Sequence, residues 1–150
     1  MSLIRVPPNS RYTLHVNEIL SNTDVSVHVA VANNVPICVE RAVYVNTADG
    51  KWGSHDSVGT QIMSTIWYLA EGCTLPGYDE WVLVMNPNSE TATIQVTFNT
   101  PSQQVIGPIL TLEPWTRKTV HVNEFVPNNS VSTKASRKAI CRYPARRPRL

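Results

Sequence analysis

Residues 11–26 read RYTLHVNEILSNTDVS, and residues 117–132 read RKTVHVNEFVPNNSVS. At a constant offset of 106 the two stretches agree at 9 of 16 positions. The matches include Arg11/Arg117, His15/His121, Asn17/Asn123, Glu18/Glu124, Asn22/Asn128 and Val25/Val131. The register extends upstream through Pro8/Pro114 and Ile4/Leu110. A period of this length is too long for a short-repeat solenoid and suits one whole β domain. A chain of 150 residues therefore holds about 1.4 periods.

Working outward, the pattern is one of short strands separated by turns. Val25, Val27, Val29 and Val31 alternate with Ser26, His28 and Ala30, which predicts a half-buried strand over 24–32. Shorter strands are expected at 3–6 and 11–16, and a longer one at 36–45. Residues 46–64 are polar, contain three glycines and show no period, so they read as a long loop. Strands follow at 65–71, 80–86 and 91–99, with Ile94, Val96 and Phe98 facing inward. Another at 103–112 is interrupted by Gly107-Pro108, a signal for a bulge, and residues 117–122 repeat 11–16. The pattern dissolves beyond Thr133. No window has a helical period. The fold class is all-β, an antiparallel β-sandwich, with circular permutation or strand exchange as ways for 1.4 units to close.

Charge is divided unevenly. Residues 134–150 carry seven basic groups and no acid, while the rest of the chain is net −5. Residues 1–133 are therefore taken as the sandwich, with 4–56 the second half of one unit and 65–133 the first half of the next. Residues 134–150 are a basic, disordered tail, the only segment suited to nucleic acid. Three cysteines, Cys38, Cys73 and Cys141, make neither a disulfide framework nor a zinc site. Cys38, inside VPICV, reads as a buried small hydrophobe. No apolar run is long enough to span a membrane. The start lacks the apolar core of a signal peptide and lies inside an element of the repeat, as expected of a piece of a longer protein or a short reading frame derived from one.

Side chains that suggest chemistry are few. His15 and Glu18, like His121 and Glu124, are three residues apart. On a strand that spacing points them to opposite faces, away from a shared metal, so a structural role in a turn is expected. Gly53-Ser54-His55-Asp56-Ser57 holds the residue types of a hydrolytic triad. Sequence neighbours rarely have triad geometry, and no nucleophile elbow is present. Glu71 reads as a strand-end carboxylate bonded to a turn, and Cys73 has no neighbouring base. Of the tryptophans, Trp67 and Trp81 sit in apolar strands and are assigned to the core. Trp52 and Trp115 are left for the surface. The candidate ligand-binding surface is Trp52, His55, Asp56 and Trp115, with no catalytic residue, metal ligand or cofactor.

Several phrases act in combination. They are Trp67-Tyr68-Leu69-Ala70-Glu71-Gly72-Cys73-Thr74, Val84-Met85-Asn86-Pro87-Asn88, Gly107-Pro108, and Pro114 with Arg117 and His-Val-Asn-Glu. Val35-Pro36-Ile37-Cys38-Val39-Glu40-Arg41-Ala42 and Gly53-Ser54-His55-Asp56-Ser57-Val58-Gly59 complete them. Over residues 4–134 they resemble a tandem β-sandwich repeat of unknown function in large bacterial surface or secreted proteins. The run from the aromatic "AEG" strand through the Gly-Pro bend is also similar to the soluble sensory rhodopsin transducer family, a small oligomeric β-sandwich. Neither resemblance implies a catalytic residue. The first implies an exported, cell-surface structural or adhesion module; the second implies a cytoplasmic adaptor. A carbohydrate-binding module is a third reading, resting on the exposed aromatics. All three are non-enzymatic. A surplus copy of the His-Val-Asn-Glu strand implies a homo-oligomer through strand pairing, with a protein or glycan partner.

Overall fold

Alternating apolar residues need a second layer to cover them, and among the described residues only the C-terminal part has one. The computed structural model describes residues 3–46, 50 and 52–137. Among these, eight strands form: β1 (Glu40–Asn46), β2 (Trp52–Val58), β3 (Ile66–Leu69), β4 (Trp81–Met85), β5 (Ala92–Asn99), β6 (Gln104–Leu112), β7 (Arg117–His121) and β8 (Ser132–Arg137). No α-helix occurs among the described residues, only 3₁₀ turns at Val16–Glu18 and Val122–Glu124. All strand pairs are antiparallel. One sheet has the order β3-β8-β5-β6, a second pairs β4 with β7, and β1 and β2 form a hairpin of their own.

The core lies between the first two sheets. Val82 and Val120 come from the small sheet; Val96, Phe98, Leu110 and Leu112 come from the large one; Val122, Val126 and Val131 close the end. Val96 and Phe98 are fully buried and Ile94 packs against the cluster, as the alternation predicts. The Gly107-Pro108 signal is also correct. The β5–β6 register shifts between Gln95 and Thr97, where the Gln95 carboxamide donates to the Gly107 carbonyl at 2.9 Å. A Cβ at Gly107 would lie 2.6 Å from the Phe98 ring, so the bulge lets backbone and ring meet. Asn86, also buried, donates to the Glu90 and Leu112 carbonyls and accepts from the Asn88 N–H, which fixes the Asn-Pro-Asn-Ser turn.

Several expectations are corrected. Residues 46–64 are not one long loop, because β2 crosses them and pairs with β1 along its whole length. The expected strands at 3–6, 11–16 and 24–32 form no ladder among the described residues. Val27, Val29 and Val31 are therefore exposed and Val25 is half-buried; periodicity reports which face is apolar, not whether anything covers it. Trp67 and Trp81 are surface residues, Trp67 at a sheet edge and Trp81 on the outer side of β4. Cys38 is exposed, its segment having no second layer among the described residues. The boundary drawn at residue 133 cuts into β8, which lies between β3 and β5. Lys134–Arg137 belong to the sheet, whereas residues 138–150 lie outside the described residues. Ser-Thr-Lys-Ala-Ser-Arg hides its periodicity because its inward positions are the small Thr133 and Ala135.

Candidate functional site

The expected ligand surface is split between two places. Trp52, His55 and Asp56 stand on β2, opposite Asn46, Val43 and Ala42. Strand geometry turns Trp52 and Asp56 to one side and His55 to the other. Ser54, His55 and Asp56 alternate in the same way, so they make no triad. Trp52 is 86% exposed. Trp115 lies on the turn between β6 and β7 with φ +60°, its ring 6.0 Å from that of His28. Among the described residues no hydrogen bond, ion pair or ring contact joins the β2 side chains to Trp115, and no group of three metal-ligating side chains occurs.

The His-Val-Asn-Glu run proves to be a tie between sheet and turn. His121 stacks on Trp81 at 4.1 Å between ring centroids, with Nδ1 3.4 Å from Glu124 and Nε2 3.2 Å from Asp79. The buried Val122 donates its N–H to the Glu80 carbonyl. The Asn123 carboxamide accepts from the Glu80 N–H and donates to the Tyr78 carbonyl, at 3.0 and 2.8 Å. These bonds clamp the segment entering β4 onto the turn after β7. The Glu80 carboxylate lies against Gly72, where a Cβ would collide with it. Burial raises its pKa above the ordinary carboxylate range, partly opposed by a hydrogen bond from the Cys73 backbone. Glu80 is thus an enclosed carboxylate, and sequence offered no sign of its enclosure.

The first copy of the motif has the same local shape without the tie. His15 has φ/ψ of −85°/99° against −84°/105° at His121, and Ile19 has −99°/−44° against −103°/−37° at Phe125. Asn22 and Asn128 both take positive φ, at +54° and +56°, as do Asn9 and Trp115. The His15–Glu18 contact recurs at 3.0 Å. The long-range bonds do not recur: Asn17, the counterpart of Asn123, has no hydrogen-bond partner among the described residues.

Exposure follows the same division. Leu112 is fully buried and Val126 is 3% exposed, whereas their counterparts Val6 and Leu20 are 45% and 50% exposed. Ala135 is 9% exposed and its counterpart Val29 is 49%. Ile4, Leu14 and Val27 complete an open apolar face whose counterparts Leu110, Val120 and Thr133 are all buried. Sequence reasoning placed Val27 and Val29 in a core and so missed this face. The signal was the offset of 106 itself, which pairs each open position with a buried one.

Among the described residues the Asp24 carboxylate links the copies through two bonds. Asp24 meets Arg117 at 2.7 Å and accepts from the Thr119 hydroxyl at 3.1 Å. The Thr119 bond and the Arg117 guanidinium hold the Asp24 carboxyl below its usual range. Leu20 and Val25 line the adjoining cleft with Trp115 and Met85.

No family model matches the chain, and no curated protein matches it. Among solved structures it has a weak similarity to the Anabaena sensory rhodopsin transducer. That match covers 52% of this chain and 76% of the transducer, at 22% identity and a TM-score of 0.44. The bacterial surface-repeat resemblance finds no support in these comparisons.

Proposed function

We propose that this protein is a non-catalytic interaction module that associates with polypeptide through the apolar face of residues 3–31. The observation that carries this reading is the point-by-point correspondence between that open face and the buried core of the C-terminal sandwich. A contiguous exposed apolar face favours association, and unpaired strand backbone favours pairing with another chain. With no other polypeptide present the chain pairs with itself, as a homo-oligomer of closed symmetry. A glycan platform of Trp52 and Trp115 is the weaker reading, since those rings stand on separate elements. Whether the parent is a surface-array repeat or a transducer-like adaptor turns on the polypeptide that is bound.

Light scattering at micromolar concentration tests the association. The unaltered chain is expected to exceed its monomer mass of 16.7 kDa. Replacing Val27 and Val29 by lysine should return it to monomer with the melting temperature of the sandwich nearly unchanged, because neither residue belongs to its core. A monomeric unaltered chain overturns the self-pairing. Loss of the sandwich in the lysine variant overturns the independence of the two parts.

A further inference from the structure

We propose that the face of residues 3–31 is a docking site for a three-strand segment of the kind formed here by residues 66–99, supplied from outside residues 1–150 of the same copy. The proposal rests on the interaction-module reading and names its partner. The folded copy shows what covers this face. β8 lies between β3 and β5, and β7 pairs with β4. Carbonyls of Gly72, Tyr78 and Glu80 receive the Val131 N–H, the Asn123 carboxamide and the Val122 N–H. The first copy presents the counterparts of these donors, Val25, Asn17 and Val16, in the same local conformation around the turn. An occupant must therefore bring one strand to lie beside each edge of residues 26–31, one strand for residues 11–15, and the carbonyls of the turn between them.

A second copy of this chain cannot meet that need. Each chain carries a single 66–99 segment and two second halves. Exchange among any number of copies leaves one second half per chain uncovered. A spare segment from outside residues 1–150 is required. Its charge need not match that of residues 66–99, which carry four acids and no base. Residues 3–31 carry two basic and two acidic groups, so apolar burial rather than long-range attraction drives docking, and added salt has little effect on it.

The test places residues 63–107 ahead of Ser2 in an otherwise unchanged chain. Gly107 takes the position of Met1 because a Cβ there would strike the Phe98 ring of the added segment. Amide exchange is then followed at Val16, Val27 and Val29 by NMR. Protection is expected to rise by about 100-fold or more at all three, while β8 keeps its own. The extended chain should be monomeric. A control extension carrying Val82→Asp, Val96→Asp and Phe98→Asp should give no protection. Unchanged exchange at Val27 and Val29 in the intact extension overturns the proposal, as does gain there at the expense of β8. Equal protection of these amides in a self-associated unaltered chain also overturns it, since a second copy would then be the occupant. Protection in the extended chain beside a monomeric unaltered chain removes only the self-pairing.

Discussion

Phe98 shows what one side chain contributes. It is fully buried, its ring lies 5.7 Å from that of Phe125, and it leaves room only for a glycine across the bulge. Phe98→Ala is expected to cost about 3–5 kcal/mol in a denaturant titration, the range for emptying a packed aromatic site. A loss below about 1 kcal/mol would mean that the site collapses without strain. Phe98 was legible in the sequence because it stands in register with Val96 and Ile94 on a strand covered on its inner face. Val27 has an equally regular environment in the sequence and is exposed. The difference lies in a partner strand, which no window around Val27 encodes. Trp81 was misjudged for a related reason: an aromatic on an apolar strand can occupy the outer side, where it stacks on His121.

At the scale of elements, sequence located β3 to β7 to within a few residues and missed β2 and β8. Both missed strands are poor in large apolar residues. They are strands because of what they pair with: β2 with the Val-rich β1, and β8 with β3 and β5. The basic composition around residue 134 concealed the second. A chain ending at Thr133 loses the pairs of Ala135 with Trp67 and Val96, and of Lys134 with Tyr68 and Thr97. Thermal melts should therefore show a large drop, tens of degrees or outright unfolding, for an end at Thr133. An end at Arg137 retains every strand pair described here and should melt far closer to the intact chain. Equal melting temperatures would mean that β8 is dispensable to the sandwich.

At the scale of the molecule, the repeat established that one copy of the motif is surplus, and chain order decides which. Strands β3 to β8 are consecutive, so the copy at 117–132 closes the sandwich and the copy at 11–26 is left outside. Its attachment through Asp24 and Arg117 depends on pH. Asp24 has a depressed pKa in the folded molecule, so its contribution is present at neutral pH and is lost as pH falls through that lowered value. Amide exchange at Val25 and Ser26 should accelerate on acidification, with no matching change at Val96. Asp24→Asn should remove that dependence; persistence of the dependence would assign it to another group. The turns of residues 3–31 have a further consequence. The left-handed asparagines and the 3₁₀ turn already hold the dihedral angles that the enclosed copy uses. Fixing a backbone residue costs roughly 1–2 kcal/mol in conformational entropy. Bends set in advance spare much of that loss, so enclosure resembles the docking of a pre-shaped part more than the folding of a loose one, and its speed is governed by encounter rather than by conformational search.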